Sequence, residues 1–218
     1  MILKDLWNEA KQKGWAVGTG ELRELDLQSS ACGWDAVATR NGEGPTTVLR
    51  PVTRTAANPR SISAIHGLNE QPLHVDGSHM PTPPDAIVLF CKTPNQTPTK
   101  LWQFVGRRAL PSVRPPVGDF EHGIFVVGSG PWAFLAPALE GKRLRYDPTI
   151  MEPADARARG VAEYFKSIQV NALSFNWEEP NTFLVIDNRS VLHGRATVTE
   201  GDTERVLVRK TFRIEGAQ

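Results

Sequence analysis

The run Pro84-Asp85-Ala86-Ile87-Val88-Leu89-Phe90-Cys91-Lys92 decides the fold class. From Ala86 to Lys92 it is almost unbroken apolar sequence between proline-bearing loops. This pattern predicts a strand buried on both faces. Just before it, Met80-Pro81-Thr82-Pro83-Pro84-Asp85 must be a loop, because proline suits neither a helix interior nor a central strand. Working outward, Trp15–Val17, Thr46–Val52, Leu73–Asp76, Leu101–Val105, Gly123–Val127, Thr182–Asp187, Val191–Val198 and Arg205–Ile214 read as extended. Two helices stand out. In the first, Ile2, Leu3, Leu6, Trp7 and Ala10 share a face and Gly14 ends the periodicity. In the second, Ala154–Ile168, the stripe is Val161, Tyr164, Phe165 and Ile168, with Pro153 at the first turn. A weaker helical stretch covers Glu21–Gln28, while His66–Pro72 and the proline-rich Leu110–Gly118 read as irregular. Many short strands with two flanking helices predict a mainly β protein, a sandwich or barrel with helices packed outside.

With 218 residues, the chain fits one domain spanning residues 1–218. Apolar residues make up 40% and charged residues 22%, enough to bury a core. A formal charge of +1 offers no basic field for nucleic acid or a membrane surface. The amphipathic start is not a signal peptide, and no apolar run could span a bilayer. Cys32 and Cys91 form no CxxC pair, so two reduced thiols and a cytoplasmic location are expected.

The chemistry is concentrated in two places. His74-Val75-Asp76 puts a histidine and an acid at strand alternation, so both side chains should point the same way. Far downstream, His193 ends Ile186-Asp187-Asn188-Arg189-Ser190-Val191-Leu192-His193. Two imidazoles and one carboxylate are the donor set of a non-haem Fe(II) site with open positions. Alone, the triplet is a weak signal and His193 reads as a hydrogen-bonded core histidine; together, they call for a shared partner inside a β core. His66 and His79 compete with His74, but neither has an acid two residues away.

In Arg205-Val206-Leu207-Val208-Arg209-Lys210-Thr211-Phe212-Arg213-Ile214, one face carries Arg205, Leu207, Arg209, Thr211 and Arg213. The other carries Val206, Val208, Phe212 and Ile214. Either this is an edge strand with a solvated charged face, or the arginine face lines a cavity and the valine face packs on an outer helix. The second reading requires an anion, because an unpaired buried arginine is costly. Arginine suits it, since its planar fork grips a carboxylate.

Taken in order, Gly14-Trp15-Ala16-Val17, Leu73-His74-Val75-Asp76-Gly77-Ser78, Asp187-Asn188-Arg189 with His193-Gly194-Arg195, and the pair Arg205 and Arg209 resemble the taurine dioxygenase and clavaminate synthase group of Fe(II)/2-oxoglutarate-dependent oxygenases. The resemblance implies a double-stranded β-helix, or jelly roll, with His74, Asp76 and His193 as iron ligands. It implies Arg205 on the distal carboxylate of 2-oxoglutarate, with Arg209 sharing that carboxylate or facing the substrate. Thr99 matches a threonine of the group, although the glycines that usually precede it are missing from Asn95-Gln96-Thr97-Pro98-Thr99. The implied reaction couples O2 and 2-oxoglutarate to oxidation of an unactivated C–H bond of a small molecule, with release of succinate and CO2. Asp76 implies hydroxylation, desaturation or ring formation, since halogenating relatives carry a small residue there. Arg195, Trp177 and Trp102 are candidates for the substrate pocket, with core packing the competing reading for both tryptophans. Two other functions remain open at this point: a non-oxidative cupin-like isomerase or hydrolase, and a non-catalytic binding barrel.

Overall fold

The computed structural model describes residues 2–40, 42–59, 61–104 and 115–215. Its centre is two antiparallel sheets. The major sheet runs Trp15–Thr19, Thr182–Asp187, Ala86–Cys91, Leu207–Ile214 and Trp34–Ala36, and Thr46–Leu49 also pairs with Leu207–Ile214. The minor sheet runs Leu173–Trp177, Asn95–Gln103, Val191–Arg195 and Gln71–His74.

Ala86–Cys91 is buried at every position, as its apolar run predicts. Ile87, Leu89 and Cys91 point between the sheets, where they meet Leu101, Trp177, Leu184, Ile186 and Leu207. Ala86, Val88 and Phe90 point outward and are covered by Leu3, Trp7, Ala10 and Leu25 of the helices Leu3–Lys13 and Leu22–Ala31. The last strand obeys the same logic. Val208 and Phe212 pack on that helical side, while Leu207 and Arg209 turn inward to a cavity. A third core, on the outer face of the minor sheet, seats the helix Ala156–Ser167 through Ala158, Val161 and Phe165. Each fully buried Val, Leu, Ile or Phe side chain among these contributes about 1.5–3 kcal/mol of transfer free energy. No helix among the described residues is long and apolar enough to cross a membrane.

Several expectations about element boundaries need correction. The strand expected over Leu73–Asp76 is Gln71–His74, so Asp76 lies beyond its end. The strand expected at Leu101–Val105 is Asn95–Gln103, and Val105 lies outside the described residues. Pro98 hid its first half. It sits where pairing with Leu173–Trp177 shifts at a bulge, so its missing N–H leaves no ladder bond unmade. In Leu110–Gly118, residues 110–114 lie outside the described residues, and a short helix, Val117–His122, follows. Asp155, not Pro153, starts the second long helix, its carboxylate accepting the Ala158 N–H at 2.8 Å. Pro153 closes a strand, Met151–Pro153, that lacks any alternating pattern.

One contact sets the geometry of the minor sheet. A Cβ on Gly194 would lie 2.5 Å from the carbonyl oxygen of Gln71 and 3.1 Å from that of Pro72. Only glycine permits this approach, which occurs where the register between the two strands shifts. Gly194→Ala is expected to cost about 2 kcal/mol or more, since rigid backbone must move. Denaturant unfolding checks this, and a Co(II) titration should show weaker metal binding because His193 is displaced with the strand.

Candidate metal centre

His193 and His74 are direct cross-strand partners, and their ring centroids lie 4.7 Å apart. Non-local pairing therefore brings together two side chains that sequence reasoning could only propose to meet. The Nδ1 atom of His74 lies 2.9 Å from the carbonyl oxygen of Pro72. With its proton on that carbonyl, the ring turns the lone pair of Nε2 toward His193 and Asp76. Donation of the second ring nitrogen to a carbonyl is the usual way a metal-binding imidazole is oriented.

Asp76 reaches the same place by a different route from the strand alternation expected. Beyond the strand, its main chain is clamped by the side chain of Asn188, which is fully buried. The Asn188 amide accepts the Asp76 N–H at 3.1 Å and donates to the Asp76 carbonyl at 3.0 Å and the Pro84 carbonyl at 2.9 Å. Its own N–H donates to the Asp85 carbonyl at 3.0 Å. The residue just before the second histidine's strand thus fixes the backbone of the acid. Asn188 stood in the motif, but its task could not be read there, because both of its partners are about a hundred residues away.

One Asp76 oxygen lies 3.7 Å from His74 Nε2, and the other lies 3.8 Å from His193 Nε2. One donor atom from each of the three lies within 4.8 Å of the others, and no other such grouping of three occurs among the described residues. His66 and His79 take no part in it; His79 Nε2 instead meets the carbonyl oxygen of Thr39 at 2.8 Å. Burial, reinforced by the positive neighbours His74 and Arg209, pushes the pKa of His193 down to about 3. His193 is therefore a neutral donor. Burial opposes ionisation of Asp76, but the Arg209 guanidinium, together with His74 and His193, outweighs it and holds the carboxyl far below its usual range. For His74, burial is overcome by contact with Asp76 and by the charge of Asp147, so its pKa is raised. Two imidazoles and an ionised carboxylate converge here, and this donor chemistry fits a divalent iron-type ion with open positions.

The triad opens on a cavity of about 420 Å³, which Arg205, Arg209, Thr99 and Arg195 also line. Arg209 Nη1 lies 2.9 Å from both oxygens of Asp76, and Nη2 donates to Thr39 Oγ1 at 3.3 Å. Its partner is therefore the metal-site acid, where an anionic ligand was expected. Arg205 is set by Asp202, a buried acid that sequence reasoning missed. Asp202 accepts from Thr97 Oγ1 at 2.6 Å, Thr199 Oγ1 at 2.8 Å and the Gln96 N–H at 2.9 Å. This ties the loop before Arg205 to the strand that carries Thr99. Thr99 Oγ1 accepts from the Trp177 indole at 3.1 Å, which leaves its hydroxyl proton free to donate. Neither tryptophan lines the cavity. Trp177 is fully buried in the inter-sheet core, and Trp102 points to the opposite face, against Tyr164 and Phe165. A larger groove of about 820 Å³ beside the N-terminal helix contains Lys4, Lys142 and Arg189 but no metal-donor set.

No family model and no curated protein matches the chain. Solved structures do. An asparagine oxygenase in complex with Fe(II), 3-hydroxyasparagine and succinate superposes with a TM-score of 0.69 at 20% identity, over 97% of this chain and 78% of that one. The non-haem iron oxygenase OrfP, in complex with Fe and α-ketoglutaric acid, gives 0.69 at 17% identity, over 95% and 77%. The PvcB protein from Pseudomonas aeruginosa gives 0.66 at 16%, over 95% and 78%. The chain has the jelly-roll fold of the asparagine oxygenase and OrfP.

Two substitutions examine the local construction. Asn188→Ala removes a clamp on buried backbone and is expected to cost about 2–3 kcal/mol. It should also lower divalent-metal affinity about 10–100-fold, which calorimetric titration measures. Arg209→Ala leaves Asp76 buried without its counter-charge and is expected to cost about 3 kcal/mol. Added Co(II) should recover part of this loss in a thermal melt, because a cation on Asp76 replaces the missing one.

Proposed function

We propose that this chain is an Fe(II)- and 2-oxoglutarate-dependent oxygenase. It oxidises, most simply hydroxylates, a C–H bond of a small molecule and releases succinate and CO2. The observation that carries this reading is the His74–Asp76–His193 triad opening on a cavity that also holds Arg205, an arginine with no acid in direct side-chain contact among the described residues. The jelly-roll neighbours bound to iron with α-ketoglutaric acid or succinate support it.

His74 and His193 would hold the iron through Nε2, and Asp76 through its carboxylate. When bound, the iron with O2 and 2-oxoglutarate supplies the oxidising power. The chain's own residues do the rest. Arg205, desolvated and directed by its contact with the Thr97 carbonyl at 3.2 Å, would grip the distal carboxylate of 2-oxoglutarate. The Thr99 hydroxyl would donate alongside it. Leu89 and Leu207 give the cavity an apolar wall that limits water. Arg209 keeps Asp76 ionised and aimed. Asp76 occupies the place that a halide would need, which favours hydroxylation over halogenation. Arg195 remains a candidate for contact with the substrate. We take residues 1–218 as one oxygenase unit. Two free thiols, Cys32 exposed and Cys91 buried, support a reducing compartment, and we assign the protein to the cytoplasm.

Anaerobic Fe(II) with 2-oxoglutarate should produce a weak visible charge-transfer band in the native protein and none in His193→Ala. Arg205→Ala should weaken 2-oxoglutarate binding by about 100-fold or more and metal binding far less, as loss of a charge-assisted contact implies. An undiminished band in His193→Ala, or turnover with Zn(II) or Mn(II) that ignores 2-oxoglutarate, would favour a non-oxidative metal enzyme. A ligand that still binds after loss of all three metal residues would favour a plain binding barrel.

A further inference from the structure

The charge of the cavity lining is lopsided. Arg40, Arg50, Arg195, Arg205 and Arg209 line it, and Asp76 is the sole acid among the described lining residues. Arg209 answers Asp76. On the reading above, Arg205 answers the distal carboxylate of 2-oxoglutarate, and the near carboxylate answers the iron. Three arginines then remain. Arg195 is held by backbone carbonyls alone, at 2.7 Å from Gly67 and 2.7 Å from Asn69. Arg40 donates to Glu43, an acid outside the lining, at the long distance of 3.5 Å. Arg50 follows Leu49, which pairs across the ladder with Leu207, so the chain carries it to the rim beside the arginine face of the last strand. Two further acids lie near but do not line the cavity: Asp147 is turned to the Thr149 N–H and hydroxyl at 2.8 and 2.6 Å, and Asp202 is taken up by Thr97, Thr199 and the Gln96 N–H.

The ammonium group of a free amino acid is met best by a carboxylate, and this lining has none to spare. A confined cluster of like charges also focuses a field that draws anions and repels cations. From this lining, and resting on the oxygenase reading, we infer that the substrate is a small oxyanion without an ammonium group. An N-acylated amino acid, a dicarboxylate or an organic phosphate meets that description, with its acidic group held by Arg40, Arg50 and Arg195. The substrate class therefore differs from the amino-acid products in the asparagine oxygenase and OrfP complexes.

Matched probes test this by isothermal titration, with the protein saturated in Co(II) and 2-oxoglutarate under anaerobic conditions. N-acetyl-L-aspartate or glycerol 3-phosphate should bind at least about tenfold more tightly than L-asparagine or L-arginine. The preferred member of the first pair tells carboxylate from phosphate. Arg50→Gln, at an exposed position that does not threaten folding, should weaken the preferred anion about tenfold, and added salt should weaken it further. Equal or tighter binding of either free amino acid overturns the inference, as does binding of neither anion. A parallel titration without Co(II) and 2-oxoglutarate keeps the two readings apart. Anion binding that persists there and falls in Arg50→Gln supports the charge argument even where the oxygenase assay fails.

Discussion

The site depends on one close backbone approach, that of Val191–Arg195 to Gln71–His74 at Gly194. Because strand pairing is a discrete register, it either sets His193 opposite His74 or misplaces it altogether. The two segments lie more than a hundred residues apart, so closing the loop between them costs entropy that only the finished sandwich can offset. The metal donors are therefore as well ordered as the sheet itself. Asp76 is the exception. It lies past the strand and would wander, were its backbone not caught by the buried Asn188 amide.

The second constraint is charge. An ionised carboxylate buried between two imidazoles needs a counter-charge, and Arg209 supplies it from the neighbouring sheet. This couples the sheets electrostatically at the mouth of the cavity. It also explains how a chain with a formal charge of only +1 can carry a strongly cationic pocket. The surface acids that balance the total lie elsewhere, and low-dielectric walls make the local excess count for more than the overall sum.

Legibility in the sequence followed the physics of each element. The strand Ala86–Cys91 was legible because burial on both faces leaves an uninterrupted apolar run. The helix Leu3–Lys13 was legible from its periodicity and from Gly14, whose φ of 91° closes it. The two faces of Leu207–Ile214 were legible from alternation, since the valine face does pack on the helical side. Asn95–Gln103 was half hidden, because Pro98 looks like a breaker until a bulge is known to accommodate it. Leu173–Trp177 was missed, since several of its residues face solvent. Trp177 and Trp102 were ambiguous for a plain reason: an aromatic ring packs equally well into a core or a pocket, and only the pleat tells which.

By itself, the sequence determined a β protein with helices outside, and it supplied the chemistry: two histidines, one acid and several arginines spaced to share strand faces. Those facts are local, because side-chain type and alternation are written residue by residue. Tertiary structure alone decided which groups meet. It placed His193 across from His74, gave Asp76 to Arg209, tied Asp202 to Gln96 and Thr97, and gathered arginines from four separate segments around one cavity. These are long-range pairings fixed by sheet register, and no window along the chain contains both partners.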